Sequence, residues 1–147
     1  MDFKNLDLRA ASEGGAWVQF EYDGEPLSTD DGKPCRLRIR GMASNEVMEA
    51  ARKIERIEIA RRDRMARTAD KDMDTVLRKS QKDILEASDD LIVAAVMEWE
   101  NITYDGEALP LNRENVLKIC GSGTLFFEQV RNAILEKKRL FTKADSA

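Results

Sequence analysis

Residues 70–100, DKDMDTVLRKSQKDILEASDDLIVAAVMEWE, decide how the chain folds. Leu77, Ile84 and Leu91 recur every seven residues, and Ser80, Ala87 and Ala94 follow an adjacent line. Seven residues make nearly two helical turns, so each set forms a stripe along one helix. Asp70, Asp72 and Asp74 stand at the start, where the helix dipole favours negative charge. From Leu91 onward apolar residues lie on every side: Leu91, Ile92, Val93, Ala94, Ala95, Val96, Met97 and Trp99. The expectation is one long helix from about Asp70 to Glu100, with its last third at the centre of the core.

Upstream, Ser44 is a candidate N-cap and Glu46 complements the dipole of a second long helix running to about Thr68. Its apolar stripe is Val47, Ala50, Ala51, Ile54, Ile57 and Met65. Leu91, Ala95, Ile84 and Trp99 are expected to pack against Val47, Ile54 and Ile57. Before Gly41, two stretches alternate with a period of two, the signature of strands. Val18, Phe20 and Tyr22 alternate with Trp17, Gln19 and Glu21, and Cys35, Leu37 and Ile39 with Arg36, Arg38 and Arg40. Paired antiparallel across a Gly- and Pro-containing loop, they turn Val18, Phe20, Leu37 and Ile39 inward. A lone two-stranded ribbon is marginal, so it must pack on a helix or gain strands from elsewhere. The polar residues 1–15, ending in Gly14-Gly15, read as a flexible lead-in.

Downstream, Asn101 ends the long helix, Ile102 to Tyr104 is extended, Asp105-Gly106 turns, and Pro110 redirects the chain. Asn112 caps a short helix that Gly121 terminates. A last helix starting at Ser122 or Thr124 carries Phe126, Phe127, Val130, Ala133, Ile134 and Leu140, and residues 142–147 read as a frayed tail. The fold class is α+β, mainly α. A single domain spans 16–141, with an antiparallel β-ribbon at 16–41 and a helical part at 43–141 built of two long and two shorter helices.

The chain has 147 residues, enough for one core-forming domain. It contains no histidine, which removes the commonest general base and the usual metal ligand. Cys35 and Cys120 belong to no CxxC motif, so neither a disulfide framework nor a zinc ribbon fits. Asp70, Asp72 and Asp74 imitate a calcium loop, but Thr75 and Gln81 stand where that loop needs Gly and Glu. Gly121-Ser122-Gly123-Thr124 lacks the preceding strand and the following Lys of a phosphate loop. No catalytic, cofactor or metal residues are assigned, and an enzyme is the least favoured class. The net charge of -4 divides into -2 over 1–42, +2 over 43–68, -7 over 69–112 and +3 over 113–147. No segment is basic enough to hold a phosphate backbone, so a nucleic-acid partner is not expected. No signal peptide is read at the N-terminus and no apolar run reaches the ~20 residues of a membrane span, so a cytoplasmic protein is expected.

Two features point to protein partners. Arg36, Arg38 and Arg40 project from one strand face, where they hold phosphates or an acidic partner, or form a solvated face with Trp17 stacked across it. On the last helix, Phe127, Val130, Ile134 and Phe141 share a face at i, i+3, i+7 and seven further on, which suits a helix-in-groove contact. Lys137, Lys138 and Arg139 flank that strip. The heptad line Leu77–Ile84–Leu91 and the uneven charge favour a homo-oligomer.

The C-terminal half reads Trp99 after an apolar helix, then Asp105-Gly106, Pro110, Asn112, Glu114-Asn115, a short helix, and a final helix closing at Phe141. With a short strand pair and Gly41-Met42-Ala43-Ser44 opening an Arg/Glu-rich helix, this layout over about 35–141 resembles the tail assembly chaperones of long-tailed bacteriophages. The resemblance implies a non-enzymatic protein that binds the helix-rich tape-measure protein, recruits tail-tube subunits onto it, and leaves before the tail is finished. It implies location in the host cytoplasm and absence from the mature virion. Many such proteins also exist in a frameshifted longer form. The competing readings are a structural phage component, such as a minor tail or head–tail joining protein, and a nucleic-acid-binding regulator using the arginine ladder.

Overall fold

The computed structural model describes residues 2–141, apart from the side chains of Lys137 and Lys138. The tail expected over 142–147, and the flanking charges expected from those two lysines, lie outside the described residues. In chain order the elements are α1 (Leu8–Gly14), β1 (Ala16–Gln19), β2 (Glu21–Tyr22), β3 (Glu25–Pro26), β4 (Arg36–Ile39), α2 (Asn45–Arg67), α3 (Asp70–Ala95), β5 (Val96–Glu100), β6 (Thr103–Tyr104), β7 (Glu107–Ala108), α4 (Arg113–Cys120) and α5 (Phe127–Leu135). One 3-10 turn over Phe3–Leu6 precedes α1 and another over Lys137–Phe141 follows α5. The chain is mainly helical with a small antiparallel sheet, as its sequence predicts.

The ribbon of β1 and β4 forms in the expected register, Val18 opposite Leu37. It is completed from an unexpected place. The long helix ends at Ala95, and Val96–Glu100 becomes strand β5 on the open edge of β4, giving the order β1-β4-β5. The expectation of helix to Glu100 is therefore corrected, as is that of an all-helical 43–141, which also contains the β6–β7 hairpin. The cause is tertiary: an unpaired β4 edge leaves backbone donors and acceptors unmet, and Val96–Glu100 supplies a partner that a helix could not. Leu37 then lies between Val18 and Trp99, fully buried. Trp99 anchors the new strand by donating its indole N–H to the Leu109 carbonyl at 2.9 Å. The register slips between Arg38 and Ile39, so Met97 is an extra residue on β5.

Residues 2–15, expected as a flexible lead-in, instead form a capped 3-10 turn and α1. Asp2 and Asp7 accept from Lys4 N and Ala10 N, capping the 3-10 turn and α1. Ser12 is buried, its carbonyl accepting from Gly41 N and its hydroxyl from Ala43 N, and Glu13 accepts from Asn45 N at 2.9 Å. A seven-residue helix is unstable alone. These contacts with the start of α2 hold it, and none of them is written in its own periodicity. Gly15 follows at φ +72°; a Cβ there would lie 2.7 Å from the Met97 sulfur and 2.9 Å from the Ile39 carbonyl oxygen.

Helices α2 and α3 pack antiparallel and join at Thr68-Ala69. Ser44 caps α2 as expected, accepting from Val47 N. At the base of this hairpin Val47, Ala87, Leu91, Ile92 and Ala95 are buried in the core. Toward the turn the burial runs out. Ile54, Ile57, Arg61 and Met65 on α2 meet a seam of Met73, Val76, Ser80 and Ile84 on α3, and of these only Ser80 is buried. Ile57 and Ile84 thus belong to a projecting two-helix arm, not to the core centre, whereas Ile54 packs, partly buried, against the core as expected. The Arg61 Nε is buried in this seam without an acceptor among the described residues, an omission that costs about 1–3 kcal/mol.

Asp90 ties the base together. Its carboxylate accepts from Lys53 of α2 and Arg113 of α4, both at 2.7 Å. Those two cations hold its carboxyl below the usual carboxylate range. A lowered pKa in the folded state stabilises above the unfolded value near ~3.9, and the stabilisation disappears as pH falls through the folded value. Asp90→Asn should therefore cost roughly 0.5–1 kcal/mol at neutral pH and nothing once the Asp90 carboxyl is protonated in the folded as well as the unfolded state. Urea titrations of both proteins from pH 7 downward check this, and a difference that never shrinks as the pH falls refutes it.

Candidate partner-binding surfaces

The arginine ladder lies on the outer face of the sheet and is answered from within the chain. Strand β5 sets Glu100 opposite Arg36 and Glu98 opposite Arg38. Arg36 Nε donates to Glu100 at 2.8 Å with its guanidinium 4.2 Å from the Trp17 ring centre, the stacking foreseen from the sequence. Arg38 bonds Glu98 at 3.1 Å and the Gly14 carbonyl at 2.7 Å. Arg40 donates to the Ala94 carbonyl at 2.8 Å and pairs with Glu46 at 3.8 Å. The structure thus uses all three arginines within the fold: Arg36 and Arg38 in cross-strand pairs that hold β5 to the sheet, and Arg40 in contacts with α3 and α2. Sequence reasoning missed Glu98 and Glu100 because they sat inside an expected helix. Their alternation with Met97 and Trp99 was the available signal.

The strip of Phe127, Val130, Ile134 and Phe141 is not one exposed face. Val130 and Ile134 are 1% and 2% exposed and belong to the core. Phe127 is half-buried against that core, and Phe141 lies on the following 3-10 turn, 38% exposed. The inner stripe also carries Phe126, whose ring sits 4.8 Å from that of Phe20. Gln129 locks the helix to the sheet end, accepting from Glu21 N at 3.0 Å and donating to Glu21 O at 3.1 Å, a role that no sequence signal announced. The correction has a simple reason: α5 is rotated so that the strip faces the sheet. Its outer side carries Glu128, Asn132 and Leu135 at spacings of four and three, and Leu125 stands exposed in the turn before it. Leu125, Leu135 and Phe141 are the apolar side chains left in water at this end.

Two further groups carry no partner chemistry. Cys120 is fully buried and its thiol is pushed up to about 12 by burial; Cys35, half-buried, is raised by the same cause. Asp89 accepts from the backbone and hydroxyl of Ser122, so the Gly121–Thr124 joint is fastened to α3. Among the described residues no cluster of His, Cys, Asp or Glu is arranged to hold a metal ion, and no helix is long and apolar enough to cross a membrane.

Comparison with known proteins adds no family: the chain matches no family model, no curated protein and no solved structure.

Proposed function

We propose that this chain is a non-enzymatic assembly protein of the phage tail chaperone kind, which binds the tape-measure protein and helps recruit tail-tube subunits during tail morphogenesis. The observation that carries the reading is the C-terminal corner, where Leu125 before α5, Leu135 at its end and Phe141 on the following 3-10 turn remain exposed around a helix whose other side is locked into the core. Separate exposed apolar residues on a rigid element suit capture of an amphipathic client helix, whose binding energy concentrates in a few side chains. The layout of residues 35–141 described above supports the same reading. The protein works in the host cytoplasm as a homo-oligomer and is absent from the finished virion.

Co-expression with a tagged tape-measure protein tests this. Leu135→Ser and Phe141→Ser should fold like the parent, by circular dichroism and melting, and co-purify with the client at least about tenfold less. Undiminished co-purification moves the client site elsewhere. Recovery of the chain from finished particles would replace the chaperone by a structural particle component.

A further inference from the structure

The α2–α3 arm has two unlike faces, and an ion pair identifies them. Lys53 and Asp90 each precede a seam residue, Ile54 and Leu91, and they meet at 2.7 Å. In an antiparallel pair of right-handed helices, residues that precede the seam share one face and residues that follow it share the other. The following positions are Met48, Glu55, Arg62 and Ala66 on α2, and Asp74, Leu77, Gln81 and Leu85 on α3. Ile59 joins them, since Met48, Ile59 and Ala66 are 11 and 7 residues apart, near-whole numbers of turns. This face exposes Ile59 by 48%, Leu77 by 38% and Leu85 by 42%. The opposite face is the one tied by Lys53 and Asp90.

We propose that a second copy of this chain covers this face, about a two-fold axis parallel to the helices, with α2 of one copy over α3 of the other. The proposal deepens the self-association given above and rests on it. Charge selects the occupant. Residues 59–67 of α2 carry net +3 and residues 70–77 of α3 net -2. Within one chain these charges are paired only locally, Arg67 with Asp63 and Asp74 with Arg78, each on its own helix, while Arg62 and Asp70 have no ion pair among the described residues. Arg62 stands six residues before Thr68 and Asp74 five after Ala69, so the two are nearly level. A parallel two-fold therefore brings Arg62 of each copy over Asp74 of the other, and Ile59 over Leu77. The other two-fold, at right angles to the helices, stacks α2 on α2 and loses that match.

The arm's size sets the strength. Helix α2 has 23 residues, about 34 Å at 1.5 Å per residue, and two helices are about 20 Å wide, so each copy covers at most roughly 700 Å². Stable interfaces cover about 800 Å² per partner, so the pair is reversible and depends on concentration. The seam residues Ile54, Ile57, Met65 and Ile84, half-buried in one chain, gain cover in the four-helix arrangement, which is how a two-helix arm completes a core.

Sedimentation of the full chain from low to several hundred micromolar is the experiment, with Arg62→Glu and Asp74→Arg as separate variants. Both side chains are exposed, so neither change should alter the circular dichroism. The parent should dimerise; each variant alone should dimerise about tenfold or more weakly, with like charges opposed in both contacts. An equimolar mixture should recover parental dimerisation, because both contacts are then Glu with Arg or Arg with Asp. A parent that stays monomeric throughout overturns both the self-association and this face. Parental dimers indifferent to both substitutions, or weakened variants that do not rescue each other, overturn this face and leave self-association standing.

Discussion

Leu91→Ala is expected to lower the unfolding free energy by about 2–5 kcal/mol, while Leu77→Ala on the same heptad line should cost under ~0.5 kcal/mol at concentrations where the chain is monomeric. Both leucines belong to the stripe Leu77–Ile84–Leu91, and sequence treats them alike. The fold does not. Leu91 is buried at the base of the hairpin among Val47, Ile92 and Ala95, so truncation leaves a cavity that the surrounding sheet and helices fill only in part. Leu77 stands on the arm, 38% exposed and outside the core cluster, so its truncation opens no enclosed cavity. A typical domain has only about 5–15 kcal/mol to lose, so the first variant unfolds at much lower urea and the second does not. Equal losses at both sites would mean that the arm is packed along its whole length and the two-helix description is wrong.

The contrast shows where sequence reasoning reaches. Local chemistry was legible. Ser44 and Asn112 accept from the amides three residues on, as capping residues do, and Asp105-Gly106 turns the chain at φ +55° and +80°. The β1–β4 pairing followed from alternation alone. What depended on distant partners was not legible. LIVAAVMEWE is apolar throughout its first half, so it has no phase to separate a buried helix from a buried strand, and the switch at Val96 is made by the edge of β4 some sixty residues earlier. Helix α1 depends on Gly41, Ala43 and Asn45 in the same way. The arginine face was read correctly as a single face. Its use was not, since Glu98 and Glu100 become its partners only once β5 is a strand. On α5 the strip turns inward because Phe126 docks on Phe20 and Gln129 clasps Glu21, contacts that no periodicity announces.

That inward turn makes neighbouring residues behave oppositely. Ile134→Ser should destabilise by about 3–5 kcal/mol, because it removes a buried side chain and leaves a hydroxyl in an apolar site. Leu135→Ser, one position on and 100° round the helix, should change stability by less than ~0.5 kcal/mol. If α5 instead turned the strip of Phe127, Val130 and Ile134 to solvent, the order would reverse: Ile134→Ser would be silent and Leu135→Ser costly. Thermal and urea unfolding of the two variants side by side decide the phase of the helix without reference to any client. The client measurement then acquires a clear meaning. Loss of binding in Leu135→Ser cannot be attributed to unfolding, whereas loss in Ile134→Ser can. A folded Leu135→Ser that no longer captures the tape-measure protein assigns the client to the outer side of α5. A folded Leu135→Ser that still does leaves that side with no role beyond solvation.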